Sequence, residues 1–96
     1  MSISPAAAHT LEVLGVLASA SEPQAAATVA RQLDLPRSTT YRLLATLERY
    51  GYVVHVAEDN RYALGSAAYE LAWGYQRQAP LQRVARPLIT RLAQQT

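Results

Sequence analysis

The chain has 96 residues, half of them hydrophobic, which suffices for one small domain with its own core. It contains no cysteine, and this excludes disulfides and thiolate metal ligands and suits a reducing compartment. The net charge is only +2, no segment approaches the ~20 apolar residues of a membrane span, and the N-terminus does not resemble a signal peptide. We therefore expect a soluble cytoplasmic protein that contacts no membrane.

The charge is unevenly distributed along the chain. Acidic residues outnumber basic ones over residues 1–36 and 50–76, whereas residues 37–49 and 77–96 carry an excess of arginine. Local positive charge indicates a docking face rather than a tail that coats a polyanion. Arginine suits such a face, because its planar fork matches phosphates and guanine edges.

Apolar spacing predicts a first helix over residues 6–18. Its apolar side chains cover more than one narrow stripe, so we expect part of them to face the core and part a second subunit. Residues 19–24 form a break in which Pro23 is placed to start a helix, and a short helix over residues 25–33 follows. Asp34 is expected to end that helix, because aspartate tolerates the left-handed conformation better than most residues.

The next helix is predicted over residues 36–50, with Pro36 at its first position and Gly51 just beyond its end. One side of its helical wheel is predicted to face the core and carries Thr40, Leu43, Leu44 and Leu47. The opposite side carries Ser38, Tyr41, Arg42, Ala45 and Arg49. Arg37 and Thr39 flank the first turn.

Residues 51–65 are predicted to form a β-hairpin, because YVVHV and RYAL flank the turn-forming residues AEDN. The helical pattern restarts at Gly65-Ser66 and continues to about residue 76, with an aromatic patch that we interpret as a packing surface (Tyr69, Trp73 and Tyr75). Residues 81–96 again have an apolar stripe at helical spacing, and their arginines lie largely off it.

This order of helices and strands predicts a mainly α fold with a small two-stranded β-hairpin, a winged helix-turn-helix. In such a fold the second helix of the motif enters the DNA major groove, with its N-terminal residues nearest the base edges. The predicted DNA-binding residues are Arg37, Ser38, Thr39, Tyr41, Arg42, Arg49 and, from the hairpin, Arg61. For Ser38 and Thr39 the alternative is a helix cap, and Glu58 and Asp59 beside Arg61 argue against deep insertion of the hairpin.

No set of residues predicts catalysis, a cofactor or a metal. His9 and His55 have no cysteine partners or suitably spaced carboxylates, and neither a glycine-rich phosphate loop nor a Ser-His-Asp set is present. We therefore expect no enzyme activity, no cofactor and no metal.

Three segments resemble the DNA-binding part of the IclR-type bacterial transcriptional regulators: TVARQLDLPRSTTYRLLATLERYGYV (28–53), RYALG (61–65) and LQRVARPLITRLAQQT (81–96). The most specific features are LPRST followed by Arg42, the leucine pair, GYV, and the YALG block after the hairpin. The sequence departs from the family pattern at Asp34, where glycine is usual, and at Thr40, where an apolar residue is usual.

The resemblance implies a DNA-binding dimer, usually within a tetramer, that senses small metabolites through a separate C-terminal effector domain. Residues 1–78 are accordingly interpreted as the winged helix-turn-helix domain, and residues 79–96 as a linker helix leading to an effector domain absent from the chain. We expect a sequence-specific repressor or activator whose helix 36–50 enters the major groove of a palindromic operator as a homodimer. The alternatives are a winged-helix module that binds a protein and the DNA-binding domain of another winged-helix family, such as the MarR-like regulators.

Overall fold

The computed structural model describes residues 2–79. Its elements in chain order are α1 (Pro5–Ser19), α2 (Ala26–Leu33), α3 (Arg37–Arg49), β1 (Val53–Val56), β2 (Arg61–Leu64) and α4 (Ser66–Gln78). The predicted mainly α fold with a two-stranded hairpin is confirmed. The predicted linker helix over residues 79–96 lies, apart from its first residue, outside the described residues.

Helix α1 begins at a serine cap and presents only part of its apolar surface to the core. The Ala7 N–H donates to the Ser4 hydroxyl at 3.4 Å, and Pro5 occupies the first turn, where its missing N–H costs nothing. Val13 and Leu17 are buried, whereas Leu11 is 68% exposed. The expectation that part of this helix faces the core is therefore confirmed, and the expectation that the rest faces a second subunit stays a prediction.

The prediction that Pro23 starts a helix was wrong, because α2 begins at Ala26. The segment before it is extended and lies beside β2. The Gln24 N–H donates to the Tyr62 carbonyl at 2.8 Å, and the Tyr62 N–H donates to the Gln24 carbonyl at 2.7 Å. This pairing joins residues that are far apart in sequence, so local turn signals could not have predicted it.

The turn between α2 and α3 has the geometry that the sequence predicts. Asp34 is left-handed, with φ 55° and ψ 48°. The Leu35 N–H donates to the Ala30 carbonyl at 2.9 Å and the Asp34 N–H to the Arg31 carbonyl at 3.3 Å, which is the Schellman arrangement. These bonds fix the direction in which α3 leaves the turn.

The core-facing side of α3 is the predicted one. Leu44 and Thr40 are fully buried, Leu47 is buried, and Leu43 packs at the edge of the core. Thr40 is the residue at which an apolar side chain is usual in the family pattern. Its buried hydroxyl donates to the Pro36 carbonyl at 3.1 Å, so its hydrogen bond is made at the start of the same helix.

The hairpin closes the core from the other side. Its strands are antiparallel, and Val53 pairs with Leu64 while His55 pairs with Tyr62. Val53 and Tyr62 point inward and join buried residues of the three preceding helices, among them Val13, Val29 and Leu44. The core therefore lies between the helix-turn-helix and the hairpin.

Helix α4 has no buried residue and projects from the hairpin. Tyr69 and Trp73 contact each other edge to face, with ring centroids 6.1 Å apart, yet Tyr69, Trp73 and Tyr75 are 65%, 48% and 59% exposed. Within residues 2–79 this aromatic patch therefore does not pack against the core, contrary to its interpretation as a packing surface. None of the helices in this range is long and apolar enough to cross a bilayer.

Candidate nucleic-acid interface

The outward side of α3 is a compact polar surface, here called the α3 face, with Ser38, Arg42, Ala45 and Arg49 as members. At ~100° per residue these four positions fall within about 60° of one another on the helix. All four side chains are exposed. Because Leu44 and Leu47 are buried on the other side, the helix cannot rotate without removing them from the core. The core thus fixes which side chains point outward.

Two arginines of the α3 face are in register along the helix. Arg42 and Arg49 are seven residues apart, which places them two turns or ~10 Å apart along the axis. The Arg42 carbonyl accepts a hydrogen bond from the Thr46 hydroxyl at 3.0 Å, so that hydroxyl is occupied inside the helix. Ala45 lies between the arginines and leaves space for a surface to approach the backbone closely.

The first turn of α3 has no side-chain cap. Pro36, predicted as the first helical residue, is instead the N-cap, one position before the helix begins at Arg37, and it has no side-chain oxygen to offer. The alternative interpretation of Ser38 and Thr39 as caps is therefore excluded, because both lie within the first turn and no side chain caps the helix. The N–H groups of this turn and the positive end of the helix dipole remain available to an anion. Arg37 is exposed beside them, Ser38 is exposed, and Thr39 is half-buried.

Tyr41 lies on the flank of α3 that faces the hairpin, not at the centre of the α3 face. Its side chain is 42% exposed. Burial raises the pKa of the Tyr62 hydroxyl above its usual value, and the nearby Tyr41 and Glu48 raise it further. Tyr41 and Glu48 are two turns apart on the same flank of α3, so this flank lies alongside Tyr62.

Arg61 differs from the other predicted residues because its side chain already binds other residues of the domain. Its Nη1 lies 3.9 Å from Glu22 Oε1 and donates to the Pro23 carbonyl at 3.3 Å. This is the single ion pair among residues 2–79. The exposed acids Glu58 and Asp59 lie in the adjoining turn. The structure thus groups six of the seven predicted residues on α3 and places Arg61 apart from them.

Of the two histidines, His55 has a structural role within the hairpin. His55 Nε2 is 2.8 Å from Asn60 Oδ1, and the His55 ring lies 4.8 Å from the Tyr62 ring. Within residues 2–79 no group of three or more histidine and acidic side chains is placed to hold a metal ion. Sequence reasoning missed Glu22 and Glu48, because only the folded structure brings Glu22 to Arg61 and Glu48 close to Tyr62.

Comparison with known proteins agrees with this architecture. The model of the IclR helix-turn-helix domain matches residues 6–57. The chain is 29% identical over 86 residues to the transcriptional repressor IclR of Escherichia coli and 30% identical over 82 residues to the acetate operon repressor of Salmonella typhimurium. These alignments cover 90% and 85% of the chain but only 31% and 30% of the two relatives, so the chain spans about a third of their length.

Solved structures give the same result. The crystal structure of an IclR family transcriptional regulator from Brucella abortus superimposes with a TM-score of 0.76 at 29% identity, over 90% of this chain and 33% of that one. The matches select this family over the MarR-like alternative. The chain therefore belongs to the IclR family of transcriptional regulators, of which it contains the helix-turn-helix DNA-binding domain.

Proposed function

We propose that this domain recognises a specific operator by inserting α3 into the DNA major groove. The observation that carries the proposal is the combination of an uncapped, arginine-bearing start of α3 with the buried Leu44 and Leu47 behind it. The free N–H groups and Arg37 supply positive potential where a phosphate would lie. The α3 face is then turned toward the base edges.

Each predicted residue has a part that its chemistry suits. Arg42 and Arg49 donate either to phosphates or, in the bidentate manner, to guanine. Ser38 and Thr39 are short donors that suit phosphate oxygens, and Tyr41 on the flank suits a sugar or a thymine methyl group. Arg61, on the hairpin, suits the DNA backbone or the minor groove.

The proposal extends to a homodimer on a palindromic operator. Two copies of α3 would read half-sites about 34 Å apart, one helical turn, or a multiple of that distance. The exposed apolar residues of α1 and α4, including Leu11, Leu71 and Trp73, support association, because monomers rarely leave such patches uncovered. Metabolite sensing would belong to a C-terminal effector domain outside the 96 residues, joined through residues 79–96.

The proposal is tested by Arg42→Ala, measured by fluorescence anisotropy on a selected operator and on a random duplex. If Arg42 binds a phosphate, both affinities fall alike; if it reads guanine, discrimination falls by ~1–3 kcal/mol at one base pair. Arg77→Ala on α4 removes the same charge from an exposed site away from α3 and serves as the control. Unchanged affinity of Arg42→Ala for both duplexes would remove Arg42 from the interface.

The competing function is a winged-helix module that binds a protein through the α3 face. Titration of a random duplex at two salt concentrations separates the two functions, because phosphate neutralisation gives a steep decrease of affinity with salt. Selection of bound sites from a random duplex pool would then give the operator sequence. Absence of duplex binding at low salt would favour the protein partner.

A further inference from the structure

The hairpin arginine is held by the connection between α1 and α2. Arg61 donates to the Pro23 carbonyl at 3.3 Å and lies 3.9 Å from the Glu22 carboxylate. This connection cannot move away from the hairpin easily, because Gln24 and Tyr62 exchange two backbone hydrogen bonds of 2.8 and 2.7 Å immediately beside it. These bonds hold Glu22 close to the start of β2.

The surroundings of Arg61 are acidic and open to solvent. Glu22, Pro23, Asp59 and Arg61 line one shallow surface depression. The Arg61 side chain is 45% exposed and the Glu22 side chain 71% exposed. An exposed ion pair of this kind is weak, so an external phosphate competes with Glu22 for the same guanidinium.

We propose that Glu22 restrains the affinity of the domain for DNA by occupying Arg61. The inference rests on the proposed function, since it concerns the contact of the hairpin with DNA. In this arrangement Arg61 is directed toward residues 22–23 and contributes little to binding. Loss of the Glu22 charge releases the guanidinium to a phosphate, so Glu22 is a positioning residue that acts through Arg61.

The test is a double-mutant cycle on the full 96-residue chain with a random duplex at several salt concentrations. Glu22→Gln is expected to raise affinity at low salt by a factor of about 2 to 5. The dependence of log affinity on log salt should steepen by about 0.9, the value for one added phosphate contact. In the Arg61→Gln background, Glu22→Gln should change neither quantity.

Glu58→Gln is the matched control, because Glu58 carries the same charge in the adjoining turn and forms no ion pair within residues 2–79. Its effect should be the same with and without Arg61. Both substitutions affect exposed side chains, and thermal unfolding of each variant verifies the fold.

Equal effects of Glu22→Gln in the two backgrounds, or no effect in either, would overturn the inference while leaving wild-type DNA binding intact. Failure of the wild type and all variants to bind any duplex would overturn the proposed function and this inference together. Two results together would support the proposed function and this inference: Arg42→Ala loses binding, and Glu22→Gln has an effect only in chains that contain Arg61.

Discussion

Tyr62 is the residue at which the separate parts of the domain meet. Its backbone pairs with Gln24 before α2, and its ring lies against His55 across the hairpin. Burial raises the pKa of its hydroxyl, and the nearby Tyr41 and Glu48 of α3 raise it further. The side chain is buried. A single tyrosine therefore connects the hairpin to the proposed DNA-binding helix.

The raised pKa of Tyr62 makes stability sensitive to alkaline pH. The unfolded chain releases the phenolic proton near its ordinary pKa of 10.0, whereas the folded protein still retains it. The free energy of unfolding therefore decreases as pH rises above 10 toward the folded pKa, and below this range the contribution is fully present. Tyr62→Phe should show a smaller alkaline decrease in thermal unfolding temperature than the wild type.

Tyr50→Phe removes a hydroxyl from a side chain that is 68% exposed and is the matched control for the substitution itself. Identical profiles for Tyr62→Phe and the wild type between pH 9 and 11 would refute the role of Tyr62.

Gly65 is required by the close approach of another part of the backbone. A Cβ at this position would collide with the carbonyl of Gly51. Gly65→Ala should therefore lower the free energy of unfolding by about 1–3 kcal/mol, measured by urea denaturation. Gly15→Ala is the matched control, because a Cβ there meets open space within α1 and should stabilise by about 0.5–1 kcal/mol. Equal effects of the two substitutions would contradict this account.

At the scale of elements, helix ends determine where α3 points. Both α2 and α3 end in a left-handed residue, Asp34 and Gly51 respectively. After α3, the Tyr52 N–H donates to the Leu47 carbonyl at 2.9 Å and the Gly51 N–H to the Glu48 carbonyl at 3.0 Å, as at the end of α2. These similar terminations hold α3 between two sharp turns.

Asp34 occupies a position whose backbone conformation favours glycine. Asp34→Gly should raise the free energy of unfolding by about 0.5–1 kcal/mol, because the left-handed conformation costs glycine nothing sterically. Asp59→Gly, outside the left-handed region, should instead destabilise by a similar amount through the added freedom of the unfolded chain. Urea denaturation of both variants checks the difference in sign, and destabilisation by Asp34→Gly would disprove the expectation.

The helices and the hairpin could be predicted because their signals are local. Pro36, Asp34 and Gly51 mark helix ends through their own backbone preferences, and the leucines of α3 identify the buried side by their spacing. The predicted helix of residues 36–50 is α3 to within one residue at each end. The outward direction of the predicted site residues follows from the same spacing.

The missed features depend on contacts between distant residues. Nothing near Pro23 indicates that Gln24 pairs with Tyr62, so Pro23 was predicted to start a helix although the segment that contains it is extended. The bond from Arg61 to Pro23 and the collision that forbids a side chain at Gly65 likewise arise only after folding. The exposure of the α4 aromatics was unpredictable for the same reason, because their spacing does not reveal what faces them.

At the scale of the whole molecule, polar and apolar surfaces are on different elements. The α3 face carries the arginines, whereas α1 and α4 carry exposed apolar side chains. This division suits a domain that contacts DNA with one surface and a second copy with another.

Trp73 is the only tryptophan of the chain, so its emission reports directly on α4. If α4 associates in a homodimer, the emission should shift to shorter wavelength as protein concentration rises, since the half-exposed indole becomes buried. Sedimentation equilibrium over the same range should show dimers, and Leu71→Ser should weaken them more than Tyr50→Ser. A concentration-independent spectrum with monomeric sedimentation would exclude this association.

The junction between α3 and α4 has a mechanical consequence. The carbonyl of Gly51, the residue that terminates α3, accepts the Ala67 N–H in the first turn of α4 at 3.0 Å, and the Gly65 N–H donates to the Tyr52 carbonyl at 2.8 Å. Because these bonds join the first turn of α4 directly to the residues that end α3, a change in the direction of α4 would act on the end of α3. The helix that carries the aromatic patch is thereby coupled through backbone hydrogen bonds to the C-terminal end of the proposed DNA-binding helix.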